Sequence, residues 1–205
     1  LNIHAPDEGN IHLMEEVATP QQKERWLRPQ VAGSTRSCFA MTEPSPGAGA
    51  DPSMLATTAV RDGDDYLING LKWFITGACG AGFAIVLAQT EHGPTQFIVD
   101  ADNPGFQVRR AIRAIDPFAI GGHGEIVLEN CRIAGDAVLG EVGRGLEYAQ
   151  QRLEPARLSH CMRLLGRARR ALEQAEAYVN ARHSFGARLA DLQQVQAMVA
   201  DCHID

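Results

Sequence analysis

The chain has 205 residues, with 19 Lys and Arg against 25 Asp and Glu, for a formal net charge of −6. That length can bury a sizeable core in one or two domains. With no long basic run, the acidic balance argues against nucleic acid or an anionic membrane surface as partner. Apolar runs fall short of a membrane span. Five cysteines (Cys38, Cys79, Cys131, Cys161, Cys202) are odd in number and form no C-x-x-C pair, as expected of reduced thiols in a cytoplasmic protein. No basic-then-apolar leader precedes Leu1. The loop-like Leu1–Gly9 does not open on Met and reads as an artificial start.

In chain order, a helix is expected over Thr19–Val31. Thr19 is its N-cap, Pro20 its first residue and Gln22 the third-position partner of a capping box; Gly33 stops it. From Ser37 to about Leu139 helical periodicity disappears. Strands are expected at Thr57–Arg61, Tyr66–Asn69, Lys72–Thr76, Phe83–Thr90, Thr95–Asp100, Phe106–Arg109 and Gly124–Leu128. Turn signals stand at Asp62–Asp65, Gly93-Pro94 and Asn103-Pro104-Gly105. Short strands without intervening helices imply an antiparallel barrel or sheet between helical segments, an α+β class. Neither a Gly-x-Gly-x-x-Gly after a strand nor a phosphate loop is present. Helix returns after Gly145. Cys161, Leu165, Ala168, Leu172, Ala175 and Val179 form one apolar stripe, with Pro155 marking a first turn or a kink. Arg182–Gly186 interrupts, and Leu192, Val195, Val199 and Cys202 begin a stripe with no stop signal, so the chain reads as a fragment.

Two strips concentrate the binding chemistry: Ser37–Asp51 (SCFAMTEPSPGAGAD) and Gly70–Ala78 (GLKWFITGA). Both combine hydroxyls, glycine-loosened main chain and large rings at strand edges, suited to a flat ligand with polar edges. If Lys72–Thr76 is a regular strand, Trp73 and Phe74 face opposite sides and only one covers a ligand. The plainer alternative is a surface turn beside a core aromatic.

Met41-Thr42-Glu43-Pro44 with Gly49-Ala50-Asp51, Asn69–Gly77 (NGLKWFITG), Gly143-Arg144-Gly145, and Arg182–Gly186 (RHSFG) followed by Gln193 resemble, in order, the middle of an acyl-CoA dehydrogenase. Ala5-Pro6-Asp7 with Gly9-Asn10, Gly121-Gly122-His123 with Glu125, and His160–Arg163 look closest to the branch acting on long-chain and hydroxylated acyl groups. The resemblance implies the end of an N-terminal helical domain (1–36), a central β-domain (37–140) and the start of a C-terminal helical bundle (141–205). It also implies FAD, an acyl-CoA substrate dehydrogenated to a trans-2-enoyl-CoA, an electron-transfer flavoprotein as acceptor, and a homodimer or homotetramer.

Carried over residue by residue, the resemblance makes Thr42, Phe74 and Thr76 flavin contacts. Thr42 would lie at the pyrimidine edge, Phe74 over the ring in place of a tryptophan, and Thr76 near N5. Arg182, Ser184, Phe185 and Gln193 would reach the FAD of a neighbouring subunit. Phe39, Met41, Ala50 and Arg157 would lie along the substrate. Ala50 replaces a serine of many relatives and offers only its N–H. Each has an ordinary alternative as a core, turn or surface residue; Arg157, for instance, could pair with Glu154 across one turn. One branch of the family carries its catalytic Glu just before the arginine matching Arg157. Here that position is Ala156, and Glu154 faces elsewhere on a helix, so the base is expected beyond Asp205 and the chain alone is expected to be inactive. The alternatives are an acyl-CoA oxidase or flavin monooxygenase on the same fold, and a non-enzymatic scaffold.

Overall fold

A computed structural model describes residues 5–49, 51–115 and 120–204, which divide into two units, Leu1–Ala156 and Arg157–Asp205. The first unit opens with helix α1 (Asp7–Val17), whose first turn carries Asp7 and Glu8 at the positive end of the helix dipole. The expected loop at the start of the chain is therefore helical from Asp7. Thr19 forms the expected capping box with Gln22, with N–H to Oε1 at 3.0 Å and N–H to Oγ1 at 3.2 Å. Helix α2 (Pro20–Gln22) passes through a π-helical turn, Lys23–Leu27, into α3 (Arg28–Ala32), which ends on Gly33 at φ +78°. Gln22 also reaches across the fold, donating to Asp136 and Val138 carbonyls at 2.7 and 2.8 Å.

Eight strands follow: β1 (Ser37–Ala40), β2 (Thr58–Asp62), β3 (Asp65–Thr76), β4 (Phe83–Thr90), β5 (Gly93–Asp100), β6 (Phe106–Ala111), β7 (His123–Ala134) and β8 (Val138–Leu139). They form a single sheet in the order β6-β7-β3-β2-β4-β5-β8, with β1 also on β4. The sheet is open, with β6 and β8 at its two ends, so the expectation of an antiparallel barrel is corrected. It is also mixed, because β1 and β2 both run parallel to β4. The physical reason lies at the ends: exposed Arg109 and Arg110 charge the β6 edge, and β8 is only two residues long. Charge and shortness shield an edge without closing it.

Strand β4 is buried at every residue from Phe83 to Ala88, which explains its unbroken apolar run FAIVLA. The two strands expected at Tyr66–Asn69 and Lys72–Thr76 are one long β3, paired with an equally long β7 and bulged between Ile68 and Gly70 and between Lys72 and Ile75. A buried polar network binds the first helix to β1. The Asp7 carboxylate accepts from the Ser37 N–H at 2.7 Å and hydroxyl at 2.8 Å and from Gln30 at 2.8 Å, and pairs with Arg36 at 2.9 Å.

Helix α4 (Gly145–Ala181) begins in this unit. Pro155 lies inside it and cannot donate to the Gln151 carbonyl. In the second unit α4 continues to a tight hairpin, β9 (His183–Ser184) with β10 (Ala187–Arg188). Phe185 and Gly186 both take positive φ there, the hand that suits a two-residue hairpin turn. Helix α5 (Gln193–Ile204) is tied to α4 by His203 Nε2 at 2.6 Å from Glu176. Leu158, Met162, Leu165 and Tyr178 on α4 are exposed. Among the described residues no helix is long and apolar enough to cross a membrane.

At Gly105 an added Cβ would sit 2.4 Å from the Cys131 Cα, a main-chain atom of β7 that cannot swing away. Gly105→Ala is therefore expected to destabilise the fold by about 1–3 kcal/mol. Urea unfolding would show a lower midpoint at unchanged slope.

Candidate functional site

The β3 bulge is where the two strips meet. Lys72, fully buried, donates from Nζ to Glu43 Oε1 at 2.8 Å and to the Met41 carbonyl at 3.1 Å. The next N–H along, that of Trp73, donates to the Thr42 carbonyl at 3.1 Å. Two successive residues of β3 thus hold three successive residues of the turn after β1. Glu43 also accepts from the N–H groups of Ala48 at 3.1 Å, Ala56 at 2.7 Å and Thr57 at 2.9 Å, tying these points of the following loop to one carboxylate. Burial alone would raise that carboxyl. The Lys72 and Thr57 hydrogen bonds, the Lys72 charge and the Ala56 N–H prevail and hold it near 2, below its ordinary 4.5. Burial pushes Lys72 down to about 8 against the pull of Glu43, so both groups stay charged at neutral pH. Gly47 is explained by this wrapping, since a Cβ there would lie 2.4 Å from Glu43 Oε2. Asp51 orders its own end of the loop by accepting from the Ser53 N–H and hydroxyl at 2.9 and 2.7 Å.

Past Lys72 the bulge breaks strand alternation, so the expectation that Trp73 and Phe74 face opposite sides is corrected. Their rings meet edge to face, with centroids 5.0 Å apart and planes at 66°. Phe74 has φ +52°, a left-handed conformation costly for a residue with a Cβ, and the residue is 47% exposed. Such strain, coupled with an exposed ring, is characteristic of binding sites. Two residues on, the Thr76 hydroxyl lies 3.1 Å from Nδ1 of His123, its partner across the β3–β7 ladder. Gly77 and Cys79 donate to the Gly122 and Gly121 carbonyls at 2.8 and 2.9 Å, and a Cβ on Gly121 would sit 2.7 Å from the Gly77 oxygen. The glycine pair thus lets the two chains touch and seats His123 against Thr76.

On β1, half-buried Phe39 lies beneath the Arg152 guanidinium, 4.3 Å from ring centroid to Cζ. Arg152 is itself held by Asn10 at 2.7 Å and the Pro6 carbonyl at 3.2 Å. Burial lowers Arg152 to about 10, with the carboxylates of Glu8 and Asp7 opposing. Met41 is half-buried beside Thr42, whereas Ala50 lies outside the described residues. In the second unit Arg182, Phe185 and Gln193 are exposed, with Ser184 half-buried. Phe185 is fully exposed at the hairpin tip, and Gln193 begins α5. Arg157 is exposed; Ala156 is buried and Glu154 exposed.

Phe39, Met41, Thr42, Phe74 and Thr76 are therefore joined through β1, its turn and β3. A cavity of about 600 Å³ beside Trp26, Arg61 and Tyr66 is lined by none of them. Lys72, Glu43 and Arg152 escaped sequence reasoning as site-shaping residues. A charged residue inside an otherwise alternating strand, Lys72, was the one available signal. An exposed aromatic face, a hydroxyl beside an imidazole and a fixed turn suit a flat heteroaromatic group with polar edges.

Residues 38–131 match the acyl-CoA dehydrogenase middle domain and residues 143–205 the acyl-CoA dehydrogenase C-terminal domain. The chain is 39% identical over 208 residues to a Mycobacterium tuberculosis protein named Probable acyl-CoA dehydrogenase FadE2, covering 98% of this chain and 51% of that protein. Butyryl-CoA dehydrogenase from Megasphaera elsdenii superposes with a TM-score of 0.87 at 32% identity, over 95% of this chain and 51% of that one. Glutaryl-CoA dehydrogenase from Mycobacterium smegmatis, solved in complex with FADH2, gives 0.85 at 33% identity, over 94% and 49%. The chain thus spans about half the length of these three relatives. Two consecutive domain matches, together with this agreement in sequence and fold, show that the chain belongs to the acyl-CoA dehydrogenase family.

Proposed function

We propose that the full-length protein carrying this segment is an FAD-dependent acyl-CoA dehydrogenase that converts an acyl-CoA thioester to a trans-2-enoyl-CoA and passes electrons to an electron-transfer flavoprotein. The observation that carries this reading is the bulged β3, which puts strained, exposed Phe74, the Thr76–His123 pair and the anchored Thr42 turn on one connected scaffold. When bound, the flavin supplies the acceptor for the β-hydride while a carboxylate takes the α-proton.

Thr42 presents its N–H and hydroxyl to the pyrimidine edge, where fixed donors favour the negative charge that develops on reduction. Phe74 covers the ring by stacking but contributes no N–H. Thr76, oriented by His123, offers its hydroxyl near the reacting nitrogen. Phe39, Met41, Ala50 and Arg157 line the acyl-CoA path. Arg182, Ser184, Phe185 and Gln193 reach the cofactor diphosphate of a second subunit, where a guanidinium and a hydroxyl match phosphate oxygens. A complete site therefore needs a homodimer or homotetramer. Residues 1–36, 37–140 and 141–205 are assigned to the end of the helical N-terminal domain, the β-domain and the start of the C-terminal bundle.

Neither buried Ala156 nor exposed Glu154 supplies a carboxylate in a dry pocket, so the base is assigned to a part of the protein outside these residues. Within the family, the likeness of Ala5-Pro6-Asp7 with Gly9-Asn10, Gly121-Gly122-His123 with Glu125, and His160–Arg163 favours the branch whose members act on long-chain and hydroxylated acyl groups. The cytoplasmic assignment rests on five cysteines that are all unpaired.

Full-length protein with FAD is expected to bleach on mixing with an acyl-CoA series and to reoxidise slowly in air. Rapid reoxidation in stopped flow would make it an oxidase, and no bleaching with any acyl-CoA would favour a scaffold. The 205-residue chain alone is expected to give no bleaching. Arg182→Ala should weaken FAD retention by about tenfold or more while leaving acyl-chain preference intact, as read by titrating the apo-protein. Unchanged affinity would remove Arg182 from the site.

A further inference from the structure

Resting on the flavin contact proposed for Thr42, we propose that the buried Lys72–Glu43 pair is a positioning device that sets the placement of Thr42 and through it the affinity and reduction potential of the flavin. Thr42 lies between the two groups Lys72 grips, the Met41 carbonyl at 3.1 Å and the Glu43 carboxylate at 2.8 Å. Its own carbonyl is taken by Trp73 N–H at 3.1 Å. Contacts on both sides and on the residue itself thus fix the main chain of Thr42, a half-buried residue. The two charged side chains are 0% and 2% exposed, so neither can meet a ligand directly; their effect must pass through the main chain they hold.

The geometry also explains why one pair influences both strips. Lys72 is the last regularly paired residue before the bulge that turns out Phe74, and Glu43 ties down the loop through Ala48, Ala56 and Thr57. Release of the ammonium would free the Thr42 turn from β3 on one side and leave the loop closed around a carboxylate with no counter-charge. The flavin would then lose alignment with donors whose value depends on being fixed before reduction.

The test uses the full-length protein in the double variant Glu43→Gln/Lys72→Met, which removes both charges together so that neither ion is left buried alone. Asp65→Asn, at a carboxylate paired with Arg132 seven residues before Lys72 on β3, serves as the control for a structural defect. Apo-protein is titrated with FAD, the flavin midpoint potential is measured, and amide exchange is followed over residues 41–57. The double variant should bind FAD about tenfold more weakly, shift the potential to more negative values and lose protection across the loop. Asp65→Asn should move none of these, even if its melting temperature drops. A folded double variant with wild-type FAD affinity and potential overturns the proposal. If the double variant does not fold, Lys72→Arg is read by the same criteria, since it keeps the charge but changes the head group's shape and reach. Failure of the underlying flavin reading looks different, because wild-type protein would then take up no FAD at all.

Discussion

An ammonium on β3 and a carboxylate in the loop after β1, sealed together from water, are the constraint on which the site depends. Removing two ions from water costs several kcal/mol each, and their attraction offsets this only when every remaining hydrogen-bonding position is filled. Here main chain takes most of those positions. Glu43 accepts from three loop N–H groups besides Lys72, and Lys72 spends a second donor on the Met41 carbonyl. Each additional bond that makes the pair tolerable also fixes a piece of the 41–57 loop. Removing either partner alone should therefore be much worse than removing both, because it leaves one buried charge with a loop folded around it.

A second buried polar cluster does for the first helix what this pair does for the loop. Asp7, at the start of α1, accepts from Ser37 at the start of β1 and pairs with Arg36; Asn10 connects Ser37, at 2.8 Å, to Arg152. Arg152 then lies over Phe39, also on β1. The helical segment is thereby indexed to the strand that leads into Thr42. Apolar packing alone would allow α1 to slide, whereas directional bonds to one strand end allow a single register. Two charge-centred clusters thus converge on one short strand and the turn after it, which is where a ligand would need rigid walls.

Local chemistry was legible in the sequence wherever one or two residues suffice to specify it. The Thr19–Gln22 capping box, the Asp62–Asp65 turn, the apolar run of β4 and the helix break at Arg182–Gly186 all have short-range causes. Closure of the sheet was not legible. It depends on whether β6 and β8 find each other, and alternation within a strand carries no information about that. Helix α1 was missed because its buried acid, Asp7, is satisfied by residues 30 positions away. The bulge at Lys72–Ile75 was missed for a related reason: its cause is the pull of the Met41–Glu43 turn on Lys72 and Trp73, and no glycine or proline marks it.

On the proposed reading, the same division separates the residues that hold the cofactor from the one that removes the proton. Holding a flat cofactor requires backbone geometry and donors fixed in advance, and these are concentrated in β1, β3 and the loop between them. Abstracting a proton requires one carboxylate in a dry pocket, a single side chain that any adjacent helix can present if its reach and direction suit. At buried Ala156 the helix has the environment but not the acid; at exposed Glu154 it has the acid but not the environment. Moving a carboxylate into position 156 would also cost its desolvation unless donors were arranged around it, as they are around Glu43. On that reading, holding the cofactor and removing the proton draw on different residues and different physical requirements, so a change in one need not disturb the other.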